Sequence, residues 1–557
     1  MSQNLNSSET LSPKKINATK TPGAVLIAAG IFLSRIFGLL RERVFAHYFG
    51  NSLEGDAFKA ALRIPNFLQN LLGEGVLSGS FIPVYAKLLA EKHQEEADRV
   101  AWAIGSLLFC LVAGFVFLGV FGAEFLIQVL APGFDPSKKQ LTTDLVRIMF
   151  PGTGFLVLSA WCLGILNSHR RFFLSYVSPV IWNLSIIGSM IYVSQFHISQ
   201  NSADVLSGGM AASSGLSILA VGASWGFVLG SVLQMLIQLP LVLRLTGKVI
   251  FTFSWKTPSV LRVLKNFGPM FLSRGVVQVS SYLDNIFASF LPTGAVSVLS
   301  YAQTLYLLPI SLFGMSISAA ELPAMSSSVG SQQEVYDQIR NRLRESTKRL
   351  VFFILPTMAG FIFLGRELTA LLFQTGSFDQ DATHWVWWTL MGSSVGLLAT
   401  TQGRLYATSF FALSDTKTPF MISTVRVAVG ASMGFFLIMV LPKWLSVPAA
   451  MGTCVLTVNA GVWGWLEYLS LKWRLEKRIG AVQEDRAYKR KITALAVGCA
   501  LLAQGFQFAL DFYQKADLPA AVFFSRPWIH SGLVLGFFGA LYLGTAWFLR
   551  WIPVRRR

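Results

Sequence analysis

Charge is the scarcest property of this chain: only 13% of its 557 residues are Asp, Glu, Lys or Arg, about half the share of an average soluble domain. A soluble fold of this length needs several polar-surfaced domains, and there is not enough charge to cover them. Histidine is scarce too, with 6 residues and none at metal-ligand spacing. The four cysteines, Cys110, Cys162, Cys454 and Cys499, stand apart in apolar stretches, which excludes a zinc framework and reads as buried free thiols. Carboxylates number 28 against 46 basic residues, a formal net charge of +18. No early apolar core with a small-residue cleavage site occurs, so the Ser-, Asn- and Lys-bearing residues 1–22 read as a disordered tail and not as a signal peptide.

What is abundant is apolar sequence: 53% hydrophobic residues, including 45 Phe and 15 Trp. It comes in blocks of roughly 17–25 residues, enough to cross a hydrocarbon layer of about 30 Å. In lipid the backbone must satisfy its own hydrogen bonds, so such blocks are helices. The fold class is therefore all-α and polytopic, with about fourteen transmembrane helices. The first is read at 24–41, the second at 57–86, and the last two at about 492–512 and 529–549. With the N-terminus placed in the cytoplasm, 31 of the 46 Lys and Arg fall in cytoplasmic tails and loops, as the positive-inside rule requires. Both termini are then cytoplasmic, and the basicity is topology and not a nucleic-acid footprint.

The chain also repeats itself. Ser34-Arg35 recurs as Ser273-Arg274, and Glu124, Gly133 and Phe134 recur as Glu367, Gly376 and Phe378. The run Ile165 to Pro179 is echoed by Leu405 to Pro419. Three matches in order at an offset near 240 residues predict two pseudo-symmetric six-helix lobes, 23–250 and 251–478. Residues 479–557 then add two C-terminal helices and a basic cytoplasmic tail. Repeats with an even number of spans are parallel, and such transporters hold their substrate between the lobes. Pro65, Gly73, Gly75 and Pro83 punctuate the second span, and Pro309, Gly314 and Pro323 the eighth. Breaks at matching positions point to a transport site.

An ionised side chain at the bilayer centre costs about 2.5–3.5 kcal/mol on insertion scales, so those within the spans need a reason. Arg35, Arg41, Asp56, Arg63 and Glu74 in the first lobe and Arg274 in the second are the candidate substrate contacts. An arginine cluster suits an anion, because guanidinium pairs bidentately with phosphate and stays charged. Arg404 and Arg426 lie near span ends and read as topological. Asp56 and Glu321 have the alternative of structural ion pairs. An enzyme would need acidic or His groups on an extramembrane loop. Asp379 and Asp381 are the nearest approach, so no catalytic residue is assigned.

Residues 34–85, with Ser-Arg, Gly-x-x-Arg, Asp-Ala-Phe, Pro-Asn, Glu-Gly-x-x-Ser and Phe-x-Pro in succession, resemble the opening of the MurJ/MviN family of lipid II flippases. "ASFL" at 288–291 and "DTKTP" at 415–419 also look like it. The resemblance implies two lobes around a cationic cavity open alternately to each side, with the last two spans lining a groove for a polyprenyl tail. It implies a lipid-linked peptidoglycan precursor as cargo, with membrane lipids and wall-synthesis proteins as partners, and puts Arg35, Arg41, Asp56 and Glu74 in register with the family motifs. This chain departs from the family at Gln69, where relatives have Arg, and at Gln303-Thr304, where many have Asp-Arg. Arg63 and Arg274 are the candidates to replace those cations. Asp284 falls where sodium-dependent relatives place a cation-binding carboxylate, but the matching polar positions in span eleven are Gly430 and Gly434. The drive is thus open between Na+, H+ and the membrane potential. The competing readings are a flippase for another polyprenyl-linked glycan and a non-transporting scaffold of the wall-synthesis complex.

Overall fold

The computed structural model describes residues 22–198, 210–247, 257–445, 448–514 and 526–553, excepting the side chains of 22–28, 74–75, 210–214, 269–270, 272–281, 441–445, 449 and 514. The tail expected at 1–22 lies, but for the backbone of Pro22, outside them. All regular structure among the described residues is helical.

The first half runs α1 (Pro22–Phe49), α2 (Leu53–Leu68), a π-type segment (Gln69–Glu74), α3 (Gly75–Ser80), α4 (Ile82–Ala90), α5 (Gln94–Phe121), α6 (Ala123–Leu130), α7 (Pro136–Ser168), α8 (Phe172–Val193) and α9 (Met210–Leu245). The second runs α10 (Pro258–Ala288), α11 (Ala295–Pro309), a π-type segment (Ile310–Met315), α12 (Ser316–Ser326), α13 (Gln332–Phe363), α14 (Gly365–Phe373), α15 (Gln380–Ala412), α16 (Lys417–Leu445) and α17 (Gly452–Ile479). Helices α18 (Arg486–Gln514) and α19 (Pro527–Phe548) follow.

The two halves begin and bend some of their helices alike. Helices α7 and α15 both have 33 residues and both start on an Asp cap. The Asp135 carboxylate accepts from the Lys138 N–H at 2.7 Å, and Asp379 from the Ala382 N–H at 2.8 Å. Each cap satisfies a donor the helix itself leaves free. The two π-type segments occupy matching places, where the Gly and Pro punctuation lies. In the first, Gly73 takes the non-helical pair φ −90°, ψ −114°. The Asp-Thr-Lys-Thr-Pro run starts α16: Asp415 accepts from the Thr418 N–H at 3.0 Å and its hydroxyl at 2.9 Å. That backbone N–H is the main reason the Asp415 carboxyl sits below its ordinary range.

Nine helical segments among the described residues are long and apolar enough to cross a membrane by length and composition. Five more, Pro22–Phe49, 53–90, Pro258–Ala288, Gln380–Ala412 and Gly452–Ile479, are comparably long but more polar or broken. Large apolar side chains such as Phe117, Phe121, Phe125, Phe508, Phe512 and Trp547 are exposed, the surface expected where lipid is the solvent.

Helix α7 packs against α2, α5, α8 and α9, and α15 against α11, α12, α13 and α17. Small residues allow the closest approaches. A Cβ at Gly396 would lie 2.6 Å from the Gly461 Cα, and one at Gly226 2.0 Å from the Ser189 Oγ. Helices α18 and α19 dock on α13 and α14, where the Tyr542 hydroxyl donates to the Phe352 carbonyl at 2.7 Å and the Ser531 hydroxyl to Glu367 at 2.6 Å.

The halves are laced together at one end of the bundle. Arg43 donates to the Leu371 and Leu372 carbonyls at 2.6 and 2.9 Å, and the Ser377 N–H to the His47 carbonyl at 2.8 Å. Gly50 and Gly376 have φ of +51° and +55°, and their faces are closed by backbone. A Cβ on Gly50 would lie 2.4 Å from the Ser377 carbonyl oxygen, and one on Gly376 2.3 Å from that of His47. Beneath this seam Phe45, Phe49, Phe58, Tyr301, Phe373 and Phe378 form one buried aromatic cluster.

Candidate functional site

Two chambers, each of about 500 Å³, adjoin one another, the first lined by helices of both halves and the second by helices of the second half alone. They share Asp284, Gln303, Tyr306 and Leu307 and so form one cavity. The bend at 69–74 and the inward faces of α1, α2, α10 and α11 shape the first chamber. Helices α10, α11, α15, α16 and α17 shape the second.

Arg41, Glu42, Lys59 and Arg63 lead the first chamber's lining. Arg41 donates to Glu42 at 2.7 Å, and its guanidinium lies 4.9 Å from the centre of the Trp182 ring. The other Glu42 oxygen accepts from Lys59. The Lys59 ammonium also faces the Phe45 ring at 4.2 Å and Tyr301 at 5.1 Å. Lys59 and Glu42 are both buried, and two charges taken from water this way hold together because each meets the other. Arg63 donates to the Gln303 Oε1 at 2.6 Å, and Tyr282 donates its hydroxyl to the Arg63 carbonyl. So Gln303, where the family resemblance leads one to expect an acid, supplies a neutral acceptor. Arg63 is thereby held on the cavity wall.

The second chamber carries Arg404 and Arg426, with Thr400, Asn459 and Trp463. The Arg426 Nε lies 3.1 Å from Glu467, whose other oxygen accepts from the Ser423 hydroxyl at 2.5 Å. Asn459 donates to the Gly430 carbonyl at 2.9 Å. Arg404 and Arg426 read as topological in the sequence, but both side chains open into this chamber. Counted together, the chambers present five cations, Arg41, Lys59, Arg63, Arg404 and Arg426, against the carboxylates of Glu42 and Asp284.

The expected site residues fall in different places. Arg41, Arg63 and Asp284 line the cavity. Arg35 is exposed on α1, outside the lining of either chamber. Asp56 is buried away from the chambers, in the seam. It accepts from the N–H groups of Gly294 at 2.7 Å and Ser297 at 2.8 Å and from Lys138 at 3.2 Å. Of the two readings open for it, this geometry is the structural ion pair. Glu321 likewise pairs with Arg342 at 3.2 Å. The side chains of Glu74 and Arg274 lie outside the described residues. Sequence reasoning missed Glu42, whose place in "RER" reads as an interfacial charge. Its partner Lys59 was visible as an intramembrane cation needing a counter-ion, the one signal that would have found it.

A family model described as lipid II flippase MurJ matches residues 45–524. The chain is 29% identical to the lipid II flippase MurJ of Burkholderia cenocepacia, over 96% of this chain and 99% of that one. It is 28% identical to the probable lipid II flippase MurJ of Rhizobium meliloti, over 92% and 91%. Among solved structures it is similar to a lipid II flippase MurJ in an inward closed conformation, with a TM-score of 0.71 and 24% identity over 94% of this chain and 99% of that one. It is also similar to an inward-facing multidrug resistance MATE family transporter of the MOP superfamily, with a TM-score of 0.58 and 16% identity over 82% and 98%.

Proposed function

The chain belongs to the MurJ family of lipid II flippases, multi-pass transporters of the bacterial inner membrane and not enzymes, and we propose that it moves an undecaprenyl-pyrophosphate-linked peptidoglycan precursor from the cytoplasmic to the outer leaflet. The observation that carries this reading is the excess of arginine and lysine around a cavity between the halves of the molecule. Guanidinium groups bind pyrophosphate through paired donors, and they keep their charge whatever the local polarity.

In this reading the nine apolar segments and the five polar ones make fourteen spans. They form lobes at 23–250 and 251–478 with both termini in the cytoplasm, and the laced end of the bundle faces outward. The headgroup enters from the cytoplasmic side. Arg35, about 9 Å nearer the cytoplasm along α1 than Arg41, meets it first, and Arg41 and Arg63 hold the pyrophosphate. The polyprenyl tail stays in lipid along α18 and α19. Cargo that neutralises the cations favours whichever state brings them closest, since a ligand shifts an equilibrium only by its differential affinity. Asp284 is the candidate for coupling to a cation.

Complementation tests this. In a bacterium depleted of its resident lipid II flippase, the wild-type chain should restore growth and wall synthesis. Arg41→Ala and Arg63→Ala, present in the membrane at equal level, should not, and Arg35→Ala should rescue only in part. Absence of rescue by a correctly inserted wild-type protein would remove lipid II as cargo. It would leave another polyprenyl-linked glycan or a scaffold role.

A further inference from the structure

The pyrophosphate of such a cargo needs only the first chamber, which leaves the charges of the second without a role. Arg404 lies eight residues, about 12 Å of helix, inside the C-terminal end of α15. Among the described residues its guanidinium has no hydrogen bond or ion pair, and its side chain is open to the chamber. Arg426, nine residues into α16, is ion-paired with Glu467, its Nε 3.1 Å from the carboxylate. Neither position is cheap for a cation in a membrane protein, and intramembrane charges that face a cavity mark substrate paths.

We propose that the second chamber is a recognition subsite for a free carboxylate on the peptide portion of the cargo, with Arg404 as its principal contact and Arg426 as its support. The inference rests on the flippase reading above.

Charge balance selects the ligand. Glu467 offsets one of the two arginines and Asp284 is a second carboxylate at the edge of the chamber, so a single anionic group beside Arg404 is the most the chamber can balance, which suits a carboxylate better than a pyrophosphate. Asp284 stands at the junction with the first chamber. There it opposes a phosphate moving inward but accommodates an ammonium group. A cation and an anion on the wall of one space can meet a carboxylate and, elsewhere on the same peptide, an ammonium group. Val427, Ala431 and Leu456 and the Trp463 ring provide apolar wall in the same chamber, room for short alkyl side chains. A volume of about 500 Å³ is within the range of small-ligand sites. An arginine fork binds a carboxylate bidentately and is left unpaired by a carboxamide, so the subsite should distinguish the two.

The test uses the full-length protein in nanodiscs and two lipids. One is an undecaprenyl-pyrophosphate disaccharide whose peptide ends in a free carboxylate, and the other is its C-terminal carboxamide. Wild type should bind the acid at least tenfold more tightly than the amide. Arg404→Gln should bind both at the amide's affinity, and Arg404→Lys, which keeps charge without the fork, should fall between. Arg41→Gln should weaken both lipids alike. Equal binding of acid and amide by wild type would overturn the subsite while leaving the flippase reading intact, as would a tenfold preference surviving in Arg404→Gln. Failure of wild type to bind either lipid would overturn both.

Discussion

Asp56 illustrates how one residue can be legible in kind but not in role. Its place among intramembrane charges was plain from the sequence, and both a substrate contact and an ion pair were open readings. What decides between them is the geometry of three donors, two of which are backbone N–H groups at the start of α11, more than two hundred residues away. Removing the carboxylate leaves Lys138 buried without its counter-charge. Breaking a buried pair from one side costs about 3–5 kcal/mol, whereas replacing both partners is far less damaging. Asp56→Ala should therefore lower the thermal stability of the purified protein in detergent strongly, and adding Lys138→Met should recover part of the loss. A double variant no more stable than Asp56→Ala would disprove the pairing. Arg404 shows the opposite case. Its distance from the span end was readable, but the face of the helix it occupies was not, because α15 has small or polar residues on several sides.

At the scale of elements, the sequence located helices well and their ends less so. The first span was expected at 24–41, yet α1 runs to Phe49. Hydropathy stops at the charges of Arg41, Glu42 and Arg43, but charge does not end a helix. The stop comes at Gly50, in the left-handed conformation that glycine adopts without strain. The bends at 69–74 and 310–315 were foreseeable, since Pro and Gly weaken a helix wherever they stand. Which helices touch was not, because that depends on small residues meeting across space. Gly396 and Gly461 bring α15 and α17 into backbone contact, the usual basis of helix association in membranes. Gly396→Leu should force the two apart and lower stability by about 1–3 kcal/mol, the ordinary cost of overpacking. Thermal unfolding in detergent would measure it, and an unchanged melting temperature would show that the contact is not close.

The whole molecule is organised by the seam at its laced end. If transport proceeds by alternating access, this is the part that must open. Gly376 sits there at φ +55° with the His47 carbonyl closing the space a side chain would need. A left-handed backbone costs a non-glycine residue roughly 1–2 kcal/mol, and the added methyl also meets that carbonyl. Gly376→Ala should thus shift the closed–open equilibrium about tenfold or more toward open, 1.4 kcal/mol being a factor of ten. Spin labels at Asn51→Cys and Gln374→Cys would report it as growth of a longer distance, and an unaltered distribution would refute it. The spacing of charges and the family likeness point to a cationic cavity, and Arg41, Lys59 and Arg63 line one. The seam was not, because its contacts are mostly main chain and no side-chain pattern encodes them.

A bacterial inner membrane stores energy as voltage, and a hydrophilic cavity reaching deep into it is a potential short circuit. Because Gly50 and Gly376 let backbone meet backbone directly, over a layer of buried aromatic rings, the seam leaves little room for a hydrated ion. In the orientation proposed above, it is an insulator in series with the cavity. Substitutions that widen it should be toxic in proportion to the current they pass, even in cells that do not depend on this protein for their wall.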